Sequence, residues 1–294
     1  MTDAPILTSD IIGLTKTAPL SRRGFMTASA AAAAGYTLAA GPVRADVITT
    51  DTNGLEAGAV NIKVADGEMP AYFARPAGVK NPPVVLVAME IFGLHEYIKD
   101  VTRRLGKLGV LAVAPDYYFR KGDLTKVTEM AQLIPLVNSK PDSELLSDLD
   151  STVAWAKSQG GDTSRLGMIG FCRGGRNVWE YAAHSTALKA AVAFYGPPVD
   201  SPNPLWPKSP MQLAPEMKAP VLGLYGEADQ GIPVAQVEEL KAALAKANKT
   251  ADFKIYPGAP HGFHADYRPS YRKEAADDAW TQMQAWLKKY KVLG

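Results

Sequence analysis

Apolar runs of five or six residues recur at 84–88, 110–114, 166–171, 190–195 and 221–225, and helix-like stretches separate most of them. A continuous apolar run without alternation suits a strand buried on both faces, whereas a half-exposed strand alternates. Strands that alternate with helices build βαβ units, so the expected fold class is α/β, with a mostly parallel central sheet and helices on both faces. The helical segments fall at 97–107, 145–158, 177–184, 235–247 and 274–290. Two short edge strands, 61–64 and 71–74, flank an Asp66-Gly67 turn, and a last short strand occupies 253–256. Residues 197–220 are proline-rich and irregular, and are expected to form a surface flap. In such sheets ligands bind beyond the carboxyl ends of the strands, so each functional residue should follow a strand.

The N-terminus reads differently. Ser21-Arg22-Arg23-Gly24-Phe25-Met26 precedes a mild apolar run, 27–41, and then Val43-Arg44-Ala45, with no acidic residue between 21 and 45. This resembles a twin-arginine export signal cut after Ala45, which implies the twin-arginine export machinery as a partner and a periplasmic or otherwise exported product. The run is too short and too weakly apolar for a comfortable bilayer span, so no stable membrane association of the mature form is expected. The mature chain, 46–294, then reads as one domain. Its charges are well mixed and the net charge is only +2, so neither nucleic acid nor an acidic membrane surface is an expected partner.

One cysteine, Cys172, cannot make an intrachain disulfide. It lies in Gly170-Phe171-Cys172-Arg173-Gly174-Gly175, between an apolar strand and a helix. A nucleophile at such a strand-to-helix turn needs small neighbours, because the backbone doubles back tightly. The helix N-terminus favours thiolate, and the Arg173 N–H would be one oxyanion donor. A phosphate-cradling loop would want Gly-Lys-Ser/Thr or a spaced Gly-x-Gly-x-x-Gly, and neither is present. A buried structural thiol is the plain alternative.

In this arrangement the chain order is nucleophile, acid, histidine. After strand 221–225 comes Gly226-Glu227-Ala228-Asp229-Gln230-Gly231, where Asp229 is preferred as the acid and Glu227 is left as a loop charge. After strand 253–256 comes Pro257-Gly258-Ala259-Pro260-His261-Gly262-Phe263, which places His261 as the base. Of the other histidines, His184 closes a helix, His264 lacks the tight Pro-His-Gly setting, and His95 is a candidate pocket wall. No histidine or cysteine spacing suggests a metal, and no cofactor is implied.

These residues resemble dienelactone hydrolases, members of the α/β-hydrolase fold, over essentially the whole mature chain. The likeness rests on Glu90-Ile91-Phe92-Gly93, Ala114-Pro115-Asp116, the Cys172 turn, Asp229 and Pro260-His261-Gly262-Phe263, in that order. It implies a Cys172–His261–Asp229 triad that opens lactones or esters through a thioester. It also implies that Glu90 helps to form the thiolate and that the Ile91 N–H is the second oxyanion donor. Arg120, Phe92 and Tyr195 would meet the substrate, with Arg120 taking a carboxylate. Two departures stand against dienelactone itself as substrate. The family's second substrate arginine falls on Ala265, with Arg268 the nearest replacement but on another side of the turn, and Arg173 puts a charge next to the nucleophile. A broader carboxylesterase, a short-peptide hydrolase and a non-catalytic periplasmic binding protein are the competing readings.

Overall fold

The computed structural model describes residues 47–294, so the expected export segment 1–45 lies outside the described residues. The chain enters a hairpin of β1 (Leu55–Val64) and β2 (Gly67–Pro76), closed tightly enough that Val64 sits opposite Gly67. Both strands run to ten residues where four were expected. Only the end of β1 carries a readable alternation, with Ile62 and Val64 buried and Asn61 and Lys63 exposed. Its first half, Leu55-Glu56-Ala57-Gly58, has no strand pattern of its own and is held by pairing with β2.

The remaining elements follow the expected alternation. They are β3 (Pro83–Ala88), α1 (Glu96–Lys107), β4 (Leu111–Pro115), α2 (Met130–Asn138), α3 (Asp142–Ser158) and β5 (Asp162–Phe171). Then come α4 (Arg173–His184), β6 (Leu188–Phe194), the short α5 (Pro210–Leu213), β7 (Val221–Gly226), α6 (Val234–Lys246), β8 (Ala251–Tyr256) and α7 (Lys273–Lys289). Helix α2 was not expected. Its Met130, Leu133, Ile134 and Val137 have helical spacing, but Pro135 inside it hides the pattern, because proline normally ends a helix.

The eight strands form one sheet in the order β1-β2-β4-β3-β5-β6-β7-β8, antiparallel at β1/β2 and β2/β4 and parallel from β4 to β8. Strands β3 and β4 are wholly buried, and α4 packs on β5 and β6. The chain steps from β3 to β4 on one side and returns to place β5 on the other, so the sheet order reverses at the β3/β5 pair. A parallel sheet leaves a crevice at such a reversal, beyond the carboxyl ends of the two strands. Ala88 of β3 pairs with Gly170 of β5, so Glu90 and Cys172 leave the sheet at the same level, two residues further on.

Close approach at this point is enforced by glycine. A Cβ on Gly170 would overlap the Gly174 carbonyl, and one on Gly174 would overlap the carbonyl of Ala88. Both obstacles are backbone, which cannot move aside cheaply. Gly174→Ala is therefore expected to cost about 3 kcal/mol or to prevent folding, read as the shift of the urea-unfolding midpoint. A neutral effect would mean that helix α4 does not sit this close to β3.

Candidate active site

Cys172 is the N-cap of α4 and has φ 56° and ψ −121°, a conformation L-residues rarely adopt. Its N–H donates to the Phe194 carbonyl at 3.0 Å, while its own carbonyl accepts from the N–H groups of Gly175 and Arg176 at 2.9 and 3.2 Å. The neighbouring strand β6 and the helix after it thus over-determine a turn that would cost about 1–3 kcal/mol alone. The thiol is fully buried, at the positive end of the helix. Arg173 opens that helix, where N–H groups have no intrahelical acceptor, and Ile91 is buried in the facing turn after β3.

The loop after β7 carries Asp229 and the loop after β8 carries His261, and both are buried. His261 Nδ1 lies 2.7 Å from Asp229 Oδ2, and Asp229 Oδ1 accepts from the Gly231 and Ile232 N–H groups at 2.9 and 3.0 Å. Those bonds fix the carboxylate and, through it, the ring. Burial alone would lower the His261 pKa. The Asp229 charge, and after it the charge of Cys172, reverse this and hold the imidazole well above its ordinary value. Nε2 has no nitrogen or oxygen partner among the described residues, and the ring is close enough to Cys172 to interact with the sulfur. Glu227 is exposed and accepts from the Gly258 N–H at 3.0 Å, which makes it a loop brace.

Glu90 is fully buried, and its neighbours come from two segments, the start of α1 and the loop after β8. The Tyr267 hydroxyl donates to Oε2 at 2.8 Å, His95 Nε2 lies 3.4 Å from the same oxygen, and Arg268 Nη1 lies 3.6 Å from Oε1. Burial pushes the carboxyl up; hydrogen bonding to His95, the Arg268 charge and the Tyr267 bond outweigh it and hold Glu90 below its ordinary pKa. Tyr195 is strained at φ 39°, and its ring meets His261 edge-on with centroids 5.0 Å apart. Glu90 Oε1 and Arg268 Nη1, 3.6 Å apart, have no partner within hydrogen-bond distance among the described residues.

Arg120, expected to meet the substrate, has its guanidinium committed to carboxylates of the scaffold. Its guanidinium is bound to Asp66 at 2.5–3.0 Å and to Asp148 at 2.8 and 3.0 Å, with Glu144 at 3.4 Å. Three carboxylates already neutralise it, which leaves a poor anchor for a substrate anion. Arg268 takes the position in the cleft instead. Its N–H bonds back to the Ala265 carbonyl at 3.0 Å, and the resulting turn carries the buried side chain to Glu90 and to within 5.4 Å of the Phe92 ring. The charge of Arg173 is answered by Asp200 at 3.3 Å and by the Trp206 ring at 4.3 Å. Residues 197–220 are therefore fastened to α4, since Arg176 also holds Asp200 at 2.7 Å, and to the segment before α3, where Trp206 bonds the Lys140 carbonyl at 2.9 Å. His264 is structural: it faces the Tyr97 hydroxyl at 2.6 Å and burial lowers its pKa to about 3. His184 pairs with Asp150 at 2.8 Å on the surface.

Tyr267 is the site residue that sequence reasoning missed. Its only signal was adjacency to Arg268 on the loop after the base. Among the described residues no group of three or more His, Cys, Asp or Glu side chains could hold a metal ion, and no helix is long and apolar enough to cross a membrane.

Comparison with known proteins identifies the family. Residues 69–291 match the model of the dienelactone hydrolase family. A Methylorubrum extorquens protein provisionally named carboxymethylenebutenolidase is 52% identical over 287 residues, covering 97% of this chain and 98% of that one. An Escherichia coli K12 protein with the same provisional name is 45% identical over 258 residues, covering 87% and 95%. The crystal structure of a provisionally assigned dienelactone hydrolase from Klebsiella pneumoniae superposes with a TM-score of 0.79 at 47% identity, over 80% of this chain and 99% of that one. The chain thus belongs to the dienelactone hydrolase family and is a hydrolase with the α/β-hydrolase fold.

Proposed function

We propose that the protein hydrolyses small lactones or esters through a thioester on Cys172, with His261 and Asp229 completing the triad. The observation that carries this reading is the pairing of a strained cysteine at a helix N-terminus with a buried imidazole. That imidazole's far nitrogen is held by Asp229 at 2.7 Å, and its pKa is raised by the Asp229 charge and, after it, by the charge of Cys172. Such a pair favours thiolate and imidazolium over thiol and imidazole.

The thiolate sulfur attacks the ester carbonyl carbon, and the electron pair of the C=O bond moves onto oxygen. The N–H groups of Arg173 and Ile91 face that oxyanion. Collapse of the adduct breaks the C–O bond, and the His261 imidazolium gives its proton to the leaving oxygen. The now neutral imidazole takes a proton from water, whose oxygen attacks the thioester carbonyl. The second collapse releases the acid and restores the thiolate–imidazolium pair. Glu90, on the opposite wall, assists the charge separation at Cys172. A thiolate expels alkoxide or enolate readily and an amine poorly, which favours esters and lactones over peptides.

Arg268 is the cation of this cleft, and we assign it the substrate's carboxylate where one is present. Arg268→Ala is then expected to lower kcat/KM for a carboxylate-bearing ester by about 10- to 100-fold more than for its neutral analogue. Arg120→Ala should do the opposite: it costs about 1–3 kcal/mol of stability and leaves kcat/KM within about threefold, because Asp148 keeps only Lys140, at 2.5 Å. A carboxylate preference that follows Arg120 would reverse the two assignments.

Cys172→Ala should reduce kcat/KM on an aryl ester by at least about 10⁴-fold with a melting temperature within a few degrees of wild type. Turnover that survives in the alanine variant would defeat the mechanism. For the segment 1–45 we propose export: product recovered outside the cytoplasm should begin at Asp46 by N-terminal sequencing. Replacement of Arg22 and Arg23 by lysine should keep it inside.

A further inference from the structure

Glu90 needs its own explanation, because an ionised carboxylate with no exposure to water is costly unless several donors reach it. Among the described residues the tight bond to it is from the Tyr267 hydroxyl, at 2.8 Å to Oε2. His95 and Arg268 approach at 3.4 and 3.6 Å, and Oε1 is left without a partner among the described residues. The two polar side chains that bracket Oε2 also brace each other: the rings of His95 and Tyr267 meet edge-on with centroids 5.1 Å apart, and Tyr97 stacks on His95 at 6.0 Å. His95 opens α1 as its N-cap residue, and Tyr267 belongs to the segment between β8 and α7, so the two fix one oxygen from opposite ends of the chain.

We propose that Tyr267 and His95 are positioning residues that hold one oxygen of Glu90, keep the carboxylate ionised without substrate, and leave its other oxygen turned to the cleft. This rests on the role proposed above for Glu90 at Cys172. Its consequence is that thiolate formation depends on a tyrosine and a histidine that need touch neither the sulfur nor the substrate.

The other ionisable groups that act on Glu90 do not titrate in the working range. Tyr97 from α1 and Tyr195 after β6 are pushed well above the ordinary phenol pKa by burial, and Tyr267 itself is raised in the same way. His264, on the Tyr267 loop, is brought down to about 3, chiefly by burial, and Arg268 stays charged. The acid limb of thiol reactivity therefore reports Glu90 and the Cys172–His261 pair, and only Glu90 depends directly on the clamp. The Glu90 pKa is depressed, so its ionised form is present above that pKa and lost as pH falls through it. Removing a donor raises the pKa and moves the loss to higher pH.

The test is the rate of Cys172 alkylation by iodoacetamide between pH 4 and 9, with the pH profile of kcat/KM on an aryl ester run beside it. In Tyr267→Phe, which keeps the ring, the acid limb of both profiles should rise by about one pH unit, a tenfold loss on the acid side, and meet wild type by pH 8. Should that variant not fold, the pair His95→Gln and His95→Leu gives the same reading. The amide keeps a donor without charge, so its limb should lie between those of wild type and the leucine variant. A limb that does not move, or an equal loss at every pH, would overturn the clamp. Failure of the nucleophile assignment has a separate signature: wild-type protein alkylated at Cys172 would still turn over ester.

Discussion

The site depends on how closely helix α4 can approach strand β3. The Gly174 backbone rests on the Ala88 carbonyl, and Gly170 rests against Gly174, with no room for a Cβ at either position. That contact leaves β5 no gradual way to become a helix, so the connecting residue takes positive φ and its side chain is thrown up between the strand ends. Cys172 is this residue. Its strain is met by backbone bonds on both sides, to β6 and within α4. The pairing of Ala88 with Gly170 then puts Glu90 at the same height across the crevice, and the loops after β7 and β8 close the third side.

Around this backbone frame the cleft is charged yet almost without solvent. Glu90, Asp229, His261 and Arg268 are each no more than 5% exposed. Buried charges survive only when paired, and here the pairing is uneven. Asp229 is held firmly by two N–H groups and the ring of His261, so its task is to orient. Glu90 and Arg268 are loosely matched at 3.6 Å, with partnerless atoms on both, so they can rearrange around a substrate. By contrast, the arginines that serve the scaffold are tied down. Arg176 is bound bidentately to Asp142 and Asp200, and Arg120 is gripped by Asp66 and Asp148. Arg268 thus differs from Arg120 and Arg176 in how completely its donors are used.

Much of this was legible in the sequence, and the part that was not has a common cause. The strand runs, the glycines around Cys172 and the order of Asp229 and His261 are local constraints, each written within a few residues. Glu227 and Asp229 could be separated only by where the loop after β7 turns. The partners of Arg120 were not legible, because its direction is set by Asp66 in a distant hairpin and Asp148 on α3, neither adjacent in sequence. Arg268 was expected on another side of its turn, but the bond from its N–H to Ala265 brings it in. Tyr267 carries no motif at all; only the folded loop shows that its hydroxyl ends on Glu90. The ten-residue β1 was equally hidden, since its first half borrows its conformation from β2.

The central claim is that acyl transfer passes through the sulfur of Cys172. Its most direct test is rapid acid quench of the enzyme with a slowly deacylating aryl ester, followed by intact mass and peptide mapping. The account predicts a transient adduct of one acyl group, on the peptide that contains Cys172, labile to hydroxylamine as a thioester is. Turnover with no adduct during the burst, or an adduct on any other residue, would contradict it.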